Sequence, residues 1–92
     1  MNKEVNITDL GEKYRIVGDI KTHITSSNNR FFGDSTQFNL ESSGVSEEEV
    51  IKKMEFYIID LYNYLIQQDP NSLRPRQREY YQLLESLVEE VN

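Results

Sequence analysis

The stretch K-Y-R-I-V-G-D-I-K-T-H-I-T, residues 13–25, constrains this chain more than any other. Tyr14, Ile16, Ile20 and Ile24 fall on one side of a period of two, and Lys13, Arg15, Asp19, Lys21 and His23 fall on the other. An extended backbone therefore presents one apolar face and one charged face, the pattern of a half-buried strand. Thr36–Glu41 alternates in the same way with Phe38 and Leu40 inward, and Ser26-Ser27-Asn28-Asn29 supplies turn chemistry between the two. Opposed residues of an antiparallel pair share a face, so matching Ile20 with Phe38 requires an odd loop length or a bulge. The expectation is a three- to five-residue loop, or a bulge near Gly33, rather than a two-residue turn at Asn28-Asn29. Val5–Thr8 reads as a short third strand before a turn at Asp9-Leu10-Gly11.

After residue 45 the period changes. Ser46-Glu47-Glu48-Glu49 is a capping box, flanked by Val45 and Val50 as the accompanying hydrophobic staple. Val50, Met54, Tyr57, Ile58, Leu61 and Leu65 follow helical spacing, while Ile51, Phe56, Tyr62 and Tyr64 widen the apolar stripe almost to a full circle. Such a helix is expected to be buried on two sides. It should end near Gln68, because Asp69-Pro70-Asn71-Ser72 combines turn formers with a helix breaker. Ser72 can cap a second helix with Pro75 in its first turn and a core face of Tyr80, Leu84, Leu87 and Val91, joined by Tyr81, Leu83 and Val88. The fold class expected is α+β in a single domain, residues 1–92. A β part over 1–45 forms an antiparallel β-hairpin or three-stranded meander, and an antiparallel helical hairpin over 46–92 packs on one face of it.

Composition narrows the chemistry. The chain has no cysteine, which removes disulfides, thiolate metal sites and a cysteine nucleophile. His23 is its only histidine, and Asp19, four strand residues away, lies too far to orient it as a base. With no phosphate-cradling glycine loop and no activated serine, the expectation is a protein that is not an enzyme and takes no metal or cofactor. The absence of a basic-then-apolar leader or a long apolar run gives a cytoplasmic, membrane-free expectation.

The net charge of -6 is unevenly placed: residues 1–45 carry five basic and six acidic groups, residues 46–92 five and ten. Antiparallel helices would gather Glu47, Glu48 and Glu49 with Glu85, Glu89, Glu90 and the terminal carboxylate at one tip, and leave Arg74, Arg76 and Arg78 at the other. In the second helix the arginines at the start and the glutamates at the end both oppose the helix dipole, and a broken local rule points to function. Glu47, Glu48, Glu85, Glu89 and Glu90 are therefore expected to bind a basic partner, with Phe31 and Tyr62 as apolar anchors. Arg74, Arg76 and Arg78 are candidates for a small anion at a helix start, while the surrounding acidity argues against duplex nucleic acid.

In size, acidity and lack of catalytic groups the chain resembles small phage-encoded inhibitors, including anti-CRISPR proteins, and the acidic immunity proteins of nuclease toxins. The residues carrying the likeness are S-E-E-E-V at 46–50 and E-S-L-V-E-E at 85–90. The resemblance implies a stoichiometric inhibitor that occupies the nucleic-acid-binding surface of a processing enzyme. The alternatives are a homo-oligomeric adaptor using an aromatic helix face, for which Tyr62 or Tyr64 is the test position, and a regulatory module sensing an anion through the three arginines.

Overall fold

The computed structural model describes residues 2–10 and 13–90, without the side chains of Thr8, Asp9 and Asp19; the expected roles of Gly11, Val91 and the terminal carboxylate lie outside the described residues. The fold is α+β, as the alternation and capping signals require. Strands β1 (Asn2–Asp9), β2 (Tyr14–Ser27), β3 (Arg30–Ser35) and β4 (Leu40–Gly44) form an antiparallel meander in sequence order. Two helices follow, α1 (Glu47–Ile66) and α2 (Pro75–Leu87), and a short strand β5 (Val88–Glu90) returns to the sheet.

β2 is the centre of the sheet. β1 lines one of its edges from Asn2↔Thr25 to Ile7↔Ile20, with an irregularity before Asp9↔Arg15. The other edge is shared: β3 pairs along residues 23–27 and β5 along residues 14–16. Between them the Lys21 N–H donates to the side-chain oxygen of Gln37 at 2.9 Å, so a side chain supplies what a strand would have given.

The hairpin differs from the sequence expectation. Asn28 and Asn29 form a two-residue turn with φ of 52° and 64°, and the partner of β2 is Arg30–Ser35 rather than Thr36–Glu41. Two successive left-handed residues match the right-handed twist of a strand pair, and asparagine tolerates that region better than most residues. Phe38 and Leu40 do point inward, but Phe38 does so from the turn that contains Asn39 at φ 55°, packing edge-on against Tyr80 at 5.9 Å, and Leu40 as the first residue of β4. Alternation imposed by a turn and a strand start imitated a strand.

The even-numbered residues of β2 face the helices, and Ile16, Ile20, Thr22 and Ile24 are buried there. Ile7, Leu10, Phe38, Met54, Ile58, Leu65, Leu73, Leu84 and Val88 complete the core, each full burial contributing about 1.5–3 kcal/mol for a large aliphatic or aromatic side chain. α1 comes close to the sheet because Gly33 carries no side chain: a Cβ there would lie 2.6 Å from Val50 Cγ1 and 2.9 Å from Ser42 Oγ. Ser42 Oγ uses that proximity to donate to the Val50 carbonyl at 3.0 Å.

Ser46 caps α1 as expected, its Oγ accepting from the Glu49 N–H at 3.1 Å. The Glu49 carboxylate accepts from Val45 N–H at 3.3 Å, and Val45 itself is 66 % exposed, so no hydrophobic staple forms. α1 ends at Ile66. Ser72 does not cap α2; it lies in a 3₁₀ turn, Pro70–Ser72, and donates to the Asp69 carbonyl at 2.7 Å. The cap position belongs to Arg74, whose N–H donates to Gln77 Oε1 at 3.1 Å, with Pro75 opening the helix. α2 is also shorter than its apolar spacing implies. Val88 leaves the helix to pair with Ile16, where a β-branched residue and an available sheet edge favour extension.

β4 is an edge strand, and α1 guards it. Lys53 Nζ donates to the Ser43 carbonyl at 2.7 Å and pairs with Glu49 at 3.1 Å, so the hydrogen-bonding groups of residues 43 and 45 are met by side chains of the helix. An edge occupied in this way offers less to another strand.

Candidate interaction surfaces

The acidic tip expected from the sequence does not form. Lys3 stands opposite Ile24 in the sheet and pairs with Glu47 at 2.6 Å, which fixes the start of α1 at that end of β2. Glu89 and Glu90 stand opposite Arg15 and Tyr14 at the other end. Nine strand residues separate Arg15 from Ile24, about 30 Å at 3.3 Å each, so Glu47 and Glu48 are far from Glu89 and Glu90. The physical cause is β5, whose pairing with β2 draws the last turn of α2 beside the C-terminal part of α1. There the Tyr14 hydroxyl donates to Asn63 Oδ1 at 3.0 Å.

The glutamates are moreover engaged within the chain. Glu48 pairs with Lys52 at 3.2 Å, Glu49 with Lys53, and Glu89 with Arg15 at 2.8 Å. The hydrogen bond from Lys53 and the Val45 N–H hold the Glu49 carboxyl below its usual range. The hydrogen bond and charge of Glu89 raise the Arg15 guanidinium above its own. Glu85 is exposed on the last turns of α2, near enough to Tyr62 to act on it electrostatically.

Arg74, Arg76 and Arg78 are exposed at the start of α2. Arg78 turns back toward the Pro70 and Leu73 carbonyls at 3.4 and 3.5 Å, so it is directed at loop oxygens rather than outward. Those carbonyls are a local reason for a cation at an otherwise unfavourable helix end.

The aromatic anchors change places. On β3 the odd-numbered residues face the helices, and Phe31 is half-buried opposite Gly44; Phe32 is the exposed one, at 43 %. Tyr62 packs at the core rim edge-on to Tyr14, ring centroids 5.6 Å apart. Burial, and then nearby carboxylates beginning with Glu90, raises its phenol pKa. Tyr64, 52 % exposed, is the residue that faces solvent.

A surface not anticipated from the sequence lies on the sheet face opposite the helices. Glu4 stands across from His23, His23 across from Asp34, and Asp34 across from Glu41, one row through four strands. All four residues are exposed. In the adjoining row Phe32 lies between Thr25 and Ser43. A depression of about 310 Å³ on this face is lined by His23, Thr25, Phe32, Asp34 and Glu41, with Gly33 and Ser42. Placing this row requires the register of β3, which rests on the asparagine turn that parity had excluded. The sequence signal that could have found it is Asn-Asn followed at once by Arg30-Phe31-Phe32.

Among the described residues no group of three or more histidine, aspartate or glutamate side chains is placed to hold a metal ion, and no helix is long and apolar enough to cross a membrane. No protein family, characterised relative or solved structure matches this chain.

Proposed function

We propose that this protein is a small binding module whose uncovered sheet face docks onto a basic protein surface, such as a nucleic-acid-binding groove, and acts by occupying it stoichiometrically. The observation that carries the reading is the opposition of Asp34 and Glu41 on neighbouring strands beside the exposed Phe32. Like charges directly opposed on a sheet are destabilising, by roughly 0.2–1 kcal/mol on the scale of cross-strand pairs. Nothing in the fold requires them there, because this face supports no helix. A partner's lysine or arginine would relieve both carboxylates at once, and Phe32 would supply desolvated contact area beside them. Glu4 extends the same row on the far side of His23. The module needs no chemistry of its own to act in this way.

Capture from cell extract at low salt, elution at high salt and mass spectrometry of the eluate test the reading. Basic nucleic-acid-binding proteins should be retained by the wild type and lost with the double variant Asp34→Lys/Glu41→Lys, while the Glu85→Lys/Glu89→Lys pair retains them. Retention of the same proteins by the sheet-face variant would reject this surface.

A further inference from the structure

The apolar stripe of α1 nearly encircles the helix, yet the sheet and α2 cover only one side of it. Val50, Met54, Ile58 and Leu65 are buried against the core, whereas Phe56 is 60 % exposed, Tyr64 52 % and Tyr57 37 %. At 3.6 residues per turn, Lys53, Phe56, Tyr57 and Asp60 fall within an arc of about 100° on that outer side. Their order along the helix is cation, aromatic, aromatic, anion.

That order has a symmetry. If two such helices lie antiparallel with a two-fold axis between Phe56 and Tyr57, each Lys53 meets the Asp60 of the other copy and each Phe56 meets the other Tyr57. Tyr64 then falls beside the other copy's Glu49, where its hydroxyl can donate. A two-fold centred on Asp60 would instead oppose two aspartates, so charge selects the register. The groups concerned have capacity to spare. An ammonium has three N–H donors, and Lys53 uses two, on the Ser43 carbonyl and on Glu49. Among the described residues Asp60 has no ion-pair partner.

We propose that a second copy of this chain packs on this face, with the two α1 helices antiparallel about an axis between Phe56 and Tyr57. The contact is isologous, as closed two-fold dimers require. Two aromatic pairs and two ion pairs make a small interface, so dissociation is expected on the order of tens of micromolar. The two surfaces adjoin, since Phe32 and Glu41 line one depression with Lys53 and Tyr57, and the readings are separated by variants outside it: Phe56→Asp and Asp60→Lys should break self-association and leave capture of basic proteins intact.

Sedimentation velocity of the full chain from about 5 µM to about 1 mM reads the association directly, and added salt should weaken it by screening the two ion pairs. Phe56→Asp and Asp60→Lys are expected to weaken it at least about tenfold, the latter because it brings lysine against lysine. Both positions are exposed, and circular dichroism checks that the fold is intact. The register has its own test. Asp60→Lys and Lys53→Asp should each self-associate at least about tenfold more weakly than the wild type, yet an equimolar mixture should regain wild-type association, because Lys53 of one variant then faces Asp60 of the other and the new Lys and Asp face each other. A wild type that stays monomeric throughout, or Phe56→Asp and Asp60→Lys variants that associate as the wild type does, would overturn the proposal. Folded variants that fail to pair when mixed would also overturn it.

Discussion

The two faces of the sheet obey different rules. Under the helices, position decides everything: Ile16, Ile20 and Ile24 fill volume, Gly33 leaves it empty for α1, and a misplaced group is felt by its neighbours. On the other face His23, Asp34 and Glu41 stand in solvent at opposed positions, where water tolerates most substitutions and the fold has no stake in which charge is present. The covered face therefore records how the chain folds, and the uncovered face is where choices unexplained by folding can be read.

The sharpest way to break this contrast is a large-to-small change on each side. Ile58→Ala removes buried methyl groups and should cost about 2–5 kcal/mol in denaturant unfolding, while Val17→Ala on the uncovered face should stay within about 0.5 kcal/mol. Equal costs would erase the distinction. Gly33→Val tests the opposite error, overfilling: Val50 and Ser42 must move, and a loss of about 1–3 kcal/mol is expected in the same assay.

A third change sharpens the comparison by improving the covered face. Thr22 and Ser35, each one residue beyond the His23–Asp34 pair, bury hydroxyls with no hydrogen-bond partner among the described residues. Thr22→Val keeps the shape and removes the unsatisfied group, so the midpoint of unfolding should rise, by about 1 kcal/mol in stability. On the uncovered face Asp34→Asn should stabilise by only a few tenths of a kcal/mol, through loss of the repulsion with Glu41, and the gain should shrink in salt.

Acid supplies the smallest effect. The Glu49 carboxyl titrates lower in the fold than in the unfolded chain, so its contribution is present above the ordinary glutamate value and is lost as pH falls through the folded value. Melting temperature followed from pH 6 to pH 3 should decline less steeply in Glu49→Gln than in the wild type, a change confined to the α1 start and the β4 edge.

The sequence disclosed these two faces unequally. β2 was legible because Tyr14, Ile16, Ile20 and Ile24 keep one side of a period of two, even with Val17 on the charged side and Gly18 and Thr22 on the apolar side, and α1 because Ser46 and the glutamates announce its start. Asn28-Asn29 carried the turn signal openly, but the alternation of Phe38 and Leu40 across a turn and a strand start imitates a partner strand and implies a longer loop. Two successive phenylalanines on a strand point to opposite faces, and only the register of β3 shows that Phe32 rather than the expected Phe31 is the outward ring. The acidic tip failed for a different reason. Glu85, Glu89 and Glu90 have helical spacing, and only the pairing of Val88 with Ile16, a contact between residues remote in sequence, turns the chain away from the start of α1. Local patterns do not report long-range pairings of that kind. Tyr62 and Tyr64 show the same limit on a smaller scale, since both widen the apolar stripe and only the contact with Tyr14 holds Tyr62 rather than Tyr64 at the core rim.

The return of Val88–Glu90 to the start of β2 sets an order of events. Arg15 and Glu89 are 74 positions apart. A chain emerging from a ribosome makes the meander early but holds one flank of its longest strand unzipped until those late residues clear the exit tunnel. Completion of the sheet therefore waits on a contact of far longer range than any hairpin, the kind of pairing that slows folding.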